Sequence, residues 1–429
     1  MKIEAAKTDT VRLVLDNAKI TNSTGAAINV VSASEAIIYT AAGTTNTVAD
    51  EANYTATGDD DPDAAIYSTA NLTLAGEGSL SVEGSYEEGI HTTGGLVIAS
   101  GTLEVNAANT GIKGKDYVDI TGGIVNVTAA QDGIKSTNTD DESLGFTRLS
   151  AGSVTVSAGD DGLKAPRTLE ISGGTLNIEK SNEGIEAQYI NILDGDVTVN
   201  STDDGINASL KDSSSDTSSD TTSGTAAAGQ QTQQNQNGQV QQAPAGGGAA
   251  PGGSQGSTGQ NQNMPQPPTD GAMPGGGGGT VTVNAEGDGI DSNGTATFSG
   301  GTVTVNGPVA GGNNALDSNG DLLLNGGIVT AGSTADMFEA PSSASTSGYL
   351  KITDSSALTQ GSTVQVTDSS GTVVANYKIT TSGVQLVLVS NKNIVKGQSY
   401  TVSVTSGSVD AASTTAASGA SELGSFTAA

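Results

Sequence analysis

Apolar positions along this chain alternate with polar ones in short runs. Leu96-x-Ile98, Leu103-x-Val105, Val118-x-Ile120, Val125-x-Val127, Val154-x-Val156, Leu169-x-Ile171, Leu176-x-Ile178 and Val197-x-Val199 share this period of two. It places every second side chain on one face of a strand. No comparable stretch carries apolar residues at helical spacing. The strands recur in a fixed order, and a Gly-Ile or Gly-Leu pair marks each round: Gly89, Gly111, Gly133, Gly162, Gly184, Gly205 and Gly289, at steps of 22, 22, 29, 22, 21 and 84. A second glycine column, Gly101, Gly123, Gly152, Gly174 and Gly195, keeps the same steps and resumes at Gly301.

Each round of about 22 residues thus holds three short strands separated by Gly, Asn, Asp and Ser turns. A propeller blade needs four strands and about 40 residues. Three strands per round predict an all-β chain, a right-handed parallel β-helix, whose successive coils stack at about 4.8 Å. The step of 29 predicts extra residues around Asn138–Leu144. The step of 84 predicts a disordered insertion over 209–279, rich in Ser/Thr, then Gln/Asn, then Gly/Pro. The helix is expected over 1–344. From about Ser345 the period fades, and strands with Asp-Ser-Ser-Gly and Thr-Ser-Gly turns predict a C-terminal β cap or small β domain over 345–429.

Composition narrows the function classes. With 16 basic and 46 acidic residues, the chain carries a formal charge of −30. That argues against nucleic acid and anionic membrane surfaces, and suits divalent cations. Cysteine is absent, and His91 is the single histidine, which excludes disulfides, thiolate sites and multi-His metal centres. No run of 18 apolar residues exists to span a bilayer. Met1-Lys2-Ile3-Glu4 has no apolar signal core, so either the protein is cytosolic or its signal has been removed; the low-complexity insertion favours the second, an extracellular or cell-surface protein.

The repeats "DITGGIVNVTAAQDGIKS", "EISGGTLNIEKSNEGIEA" and "NILDGDVTVNSTDDGINAS" resemble the bacterial carbohydrate-binding domain-containing β-helix family related to pectate lyases. The Gly/Gln/Pro-rich insertion and the ending from Tyr349 to Ser390 fit the same likeness. The resemblance implies a secreted or surface-displayed protein that binds plant cell-wall polysaccharide, with Ca2+ on the helix; a monomer is expected. It transfers no residue-level signature.

Spacing supplies the candidate sites. Residues preceding the Gly-Ile column form an acidic row, Glu88, Asp132, Asp161, Glu183, Asp204 and Asp288, with Thr110 as the exception. Asp160 and Asp203 double it. Calcium takes oxygen ligands at about 2.3–2.6 Å, so an ion can bridge carboxylates of adjacent coils. Asp132, Asp160, Asp161, Glu183, Asp203 and Asp204 are therefore the candidate metal ligands; capping of turns is the alternative role. Asp59, Asp60, Asp61 and Asp63 form a second, weaker cluster, interrupted by Pro62.

The column after each Gly-Ile pair reads His91, Lys113, Lys135, Lys164, Glu186, Asn207, Asp291. Each adjacent lysine contact would cost about 0.9 kcal/mol even in water, so the row calls for a compensating role. Lys113, Lys135, Lys164 and Arg167 are candidates for holding uronate carboxylates of an acidic sugar chain. Equally, the lysines could neutralise the acidic row and pair with Glu186. Tyr67, Tyr86, Tyr117 and Tyr189 are expected as rim packing rather than a sugar platform. The readings are a non-catalytic binder of polygalacturonate-like glycan, a calcium-dependent polysaccharide lyase with Lys135 or Lys164 as base and Arg167 as clamp, and a structural spacer or adhesin.

Overall fold

The computed structural model describes residues 1–55, 58, 61–209, 278–309, 311–354, 358–406, 409–410 and 413–429. The expected disorder over 209–279 concerns residues that, from 210 to 277, lie outside the described ones, as do Asp59 and Asp60. Among the described residues every regular element is a strand. They wind into a parallel β-helix of about 11 turns, as the repeat predicts. One coil is Ile112–Gly114, Tyr117–Ile120 and Ile124–Ala129; the next is Ile134–Ser136, Phe146–Leu149 and Ser153–Ser157. Each strand pairs in parallel with its equivalent one coil on: Ile112 with Ile134, Ile120 with Leu149, Val127 with Val156.

Inward side chains from all three faces meet on the axis. Ile66, Ile90, Ile112, Ile134 and Leu163 form one ladder that continues to Leu316, each almost wholly removed from water. Burying such a side chain stabilises the fold by about 1.5–3 kcal/mol. A thin core repeated coil after coil therefore suffices for a chain poor in aromatics.

Both glycine columns are sterically crowded, and the second also needs a left-handed backbone: a Cβ on Gly152 would lie 2.6 Å from the Gly123 carbonyl oxygen. A Cβ on Gly111 would lie 2.2 Å from Val127 Cγ1 and 2.6 Å from the Gly133 carbonyl oxygen, so this column leaves no room for a side chain. In the second column, Gly123, Gly152, Gly174 and Gly195 have φ of 87°, 96°, 82° and 101°. L residues with a Cβ rarely adopt that region.

The C-terminal end of the helix is closed by antiparallel pairing. Leu386–Ser390 runs antiparallel both to the last coil, Val329 to Ser333, and to Tyr349–Thr353. A four-stranded sheet of Ser362–Thr367, Val373–Lys378, Ser399–Ser406 and Ser421–Thr427 builds a second core around Val364, Val366, Tyr377, Tyr400 and Val402. The Tyr377 hydroxyl donates to Asn306 Oδ1 at 3.0 Å. Asn306 Nδ2 donates to Asn284 Oδ1 at 2.9 Å, and Asn284 Nδ2 to Asn200 Oδ1 at 2.8 Å. This amide ladder ties the cap to three coils.

Candidate functional site

Parallel register converts the sequence columns into spatial rows. Tyr67, His91, Lys113, Lys135, Lys164, Glu186, Asn207, Asp291 and Asp317 are successive register partners on one outward row. The acidic row sits at the turn two residues upstream of each inward Ile or Leu, and the two rows meet through ion pairs. Lys113 Nζ is 3.1 Å from Glu88 Oε1 and 3.6 Å from Asp63 Oδ2. Lys135 Nζ is 2.6 Å from Asp132 Oδ2, and Lys164 Nζ is 2.6 Å from Asp161 Oδ2. Lys164 also contacts Glu186. Each lysine of the row therefore meets acids of its own chain. Arg167 is partly buried at the start of the next face, its backbone N–H donating to the Gly145 carbonyl at 3.2 Å.

His91 heads the row. Its Nδ1 lies 2.5 Å from Asp63 Oδ1, and its ring stands edge-on to Tyr67 at 5.3 Å. Asp63 thus joins the row by contact, although sequence placed it in a separate acidic cluster. Tyr54 and Tyr86 stack at 4.1 Å, and Tyr117 stacks on Phe146 at 5.1 Å. Tyr67 and Tyr117 are buried, which makes them packing residues.

The acids fall into groups that oxygen-seeking cations could use. Ligand atoms of Asp132, Asp160 and Asp161 lie within 4.8 Å of one another, as do those of Asp161, Glu183 and Glu186, and those of Asp288, Asp291 and Asp317. Two oxygens each about 2.4 Å from one ion can be no more than about 4.8 Å apart, a limit that each of these groups meets. In the first group Asp132 is 4% exposed, and its Oδ1 is buried without a hydrogen-bond partner. Leaving such an oxygen unsatisfied costs free energy that a cation would recover. Glu88 Oε2 and Thr110 Oγ1, on the two preceding coils, are orphaned in the same way.

Of the other acids called from the sequence, Asp203 and Asp204 belong to none of these groups. Asp203 is exposed, and Asp204 Oδ1 accepts the Asp288 backbone N–H at 2.7 Å. Asp288 likewise accepts the Asn314 N–H. These two carboxylates cap the next coil. Glu183 Oε2 accepts Asn207 Nδ2 at 3.2 Å.

Burial dominates the electrostatics of the row. It pushes Glu88 up to about 7, with the Asp63 charge adding and Lys113 opposing. It pushes Glu183 to about 7, reinforced by Glu186, and Asp288 and Asp291 to about 6, reinforced by Asp204 and Asp317. Asp161 is raised too, burial outweighing its pairing with Lys164. Burial opposes the charge on Lys113 and Lys164, but their carboxylate partners outweigh it and hold both above the ordinary lysine value.

Sequence reasoning missed Asp317 and Glu339. Asp317 follows Leu316 in the same column and was within reach of the period. Glu339 lies beyond the repeat, and reaches the row by accepting the Ser318 N–H at 2.6 Å.

Fold and rows together define a β-helical protein with a long, charged, regularly spaced polar face. The chain belongs to the carbohydrate-binding domain-containing protein family, whose profile matches residues 1–241. The resemblance read from the repeats is thereby borne out. A carbohydrate-binding domain-containing protein of Acetivibrio thermocellus is 37% identical over 97 residues, 22% of this chain and 34% of the relative. The aligned part thus spans about a third of that curated relative. A solved structure of a polysaccharide lyase-like protein from C. thermocellum is 32% identical, covering 43% of this chain and 78% of that one, with a TM-score of 0.39.

Proposed function

We propose that this protein is a non-catalytic, extracellular or cell-surface binder of acidic plant cell-wall polysaccharide that acts as a monomer and uses Ca2+. The carrying observation is the in-register juxtaposition of the lysine row with three groups of carboxylates. A polyuronate presents carboxylates at regular intervals along an extended chain. Calcium on Asp132, Asp160 and Asp161, with further ions at Glu183 and at Asp203–Asp204, would bridge protein and sugar carboxylates. Asp288, Asp291 and Asp317 extend that series along the same face. Lys113, Lys135, Lys164 and Arg167 would contribute direct contacts to uronate oxygens.

Lys164 supports the non-catalytic reading. A base that removes the proton beside a uronate carboxylate needs a pKa near the working pH. The acids around Lys164 hold it in the opposite direction. The alternative is a lyase: burial pushes Glu183, which is partly exposed, to about 7, the basicity that such a step requires.

Incubation with polygalacturonate, with and without EDTA, separates these readings. Calcium-dependent retention without unsaturated, ultraviolet-absorbing products supports the binder. Steady product formation abolished by EDTA would replace it with the lyase. Neither result would leave the spacer or adhesin.

A further inference from the structure

At Asp132, Asp160 and Asp161 two of the acids that could hold a cation already hold lysines. Asp132 Oδ2 and Asp161 Oδ2 each hold an ammonium at 2.6 Å. Asp160 completes the group, and Asp132 Oδ1, on a residue 4% exposed, has no hydrogen-bond partner. The ammoniums thus leave one buried carboxylate oxygen unsatisfied. Ca2+ recruits six to eight oxygens and can take both oxygens of one carboxylate. It cannot share Asp132 Oδ2 and Asp161 Oδ2 with positive charges at hydrogen-bond distance. The lysine side chains are 24% and 38% exposed, on flexible four-carbon stems with a route to solvent. Lys135 and Lys164 are also direct register partners. If displaced, they would stand on successive coils about 4.8 Å apart.

We propose that Ca2+ and these ammoniums exchange at the Asp132–Asp160–Asp161 group. Without calcium, Lys135 and Lys164 are latched to the acids and neutralised. Calcium takes the carboxylates, frees Lys135 toward a polyuronate and leaves Lys164 held by Glu186 alone. The inference rests on the calcium and polyuronate reading above, and adds its regulation. Calcium then does more than bridge: it converts a self-neutralised strip into a cationic one. By linkage, polyuronate raises the affinity for calcium by the same factor that calcium raises the affinity for polyuronate. Lys113 is latched to Glu88 and Asp63, which form a separate group with His91.

The test measures acetylation of individual lysines by an amine-reactive reagent, read by mass spectrometry, in EDTA and in saturating calcium chloride. Expected are a several-fold increase at Lys135 and a smaller one at Lys164, which Glu186 still holds. Calorimetry runs alongside. The double variant Lys135→Met/Lys164→Met should bind calcium several-fold more tightly, because nothing has to be displaced, yet gain less polygalacturonate affinity from it. Asp160→Asn, which removes a ligand but no lysine partner, should weaken calcium binding and suppress the reactivity change. Calcium binding with unchanged lysine reactivity, or with equal affinity in the double variant, overturns the exchange and leaves the calcium reading standing. Absence of calcium binding to the unaltered protein overturns both.

Discussion

Lys135 Nζ lies 2.6 Å from Asp132 Oδ2, within one coil and three residues apart in sequence. The same step recurs between Lys164 and Asp161, so the pairing is a property of the repeat. The lysine reaches back over the inward Ile or Leu to the acid at the turn. Asp132 is 4% exposed, and a buried carboxylate is tolerated only with a compensating charge or hydrogen bonds.

Removing that charge should therefore destabilise the apo protein. Lys135→Met is expected to cost about 1–3 kcal/mol in EDTA, read as a lower urea midpoint with unchanged slope. Calcium should recover most of the loss. A variant equal to the parent in EDTA would show that Asp132 finds another partner.

Stability should fall as pH rises when calcium is withheld. Glu88 and Glu183 titrate near 7 in the folded protein, and Asp288 and Asp291 near 6. All lie above their unfolded values of about 4. A carboxyl raised by folding holds its proton more tightly when folded. Its contribution is complete below the unfolded value and is lost as pH climbs through the folded one. Melting temperature in EDTA should drop between about pH 4 and 8. Saturating calcium should flatten the upper part of that profile, because binding to the folded state alone stabilises it. A rise in melting temperature across this window in EDTA would refute the assignment.

Gly133 and Gly101, one from each glycine column, should respond differently to alanine. Gly133→Ala would set a Cβ 2.3 Å from Val156 Cγ1 and 2.6 Å from the Gly162 carbonyl oxygen. The coils on either side must then shift, at about 3 kcal/mol or more. Gly101→Ala meets nothing nearer than 3.1 Å, but its φ is 94°, so the cost is conformational, about 1–3 kcal/mol. Chemical denaturation of the two variants should rank Gly133→Ala as the more damaging.

The cap should loosen when its hydroxyl is removed. Tyr377→Phe keeps the buried ring but deletes the bond to Asn306 Oδ1, leaving the end of the amide ladder unsatisfied. The expected loss is about 1–3 kcal/mol. Hydrogen exchange should report it first in Leu386–Ser390 and the last coil.

The helix was legible because its period is enforced twice, by inward ladders such as Ile112–Ile134 and by glycines with no room for a Cβ. Register followed from that period, so the row from His91 to Asp291 could be written down from sequence alone. Contacts across the rows were not legible. Whether Lys135 points to a sugar or to Asp132 depends on side-chain torsions, and spacing leaves them open. Asp63 reaches His91 and Lys113 from an irregular loop, and Glu339 reaches Ser318 from beyond the last repeat. Neither lies in the period that revealed the rest.

Equilibrium binding of polygalacturonate across a calcium titration tests the central claim most directly. The account predicts little affinity in EDTA and a large gain that saturates with calcium, without depolymerisation. Affinity that is indifferent to calcium, or cleavage of the polymer as calcium is added, would contradict it.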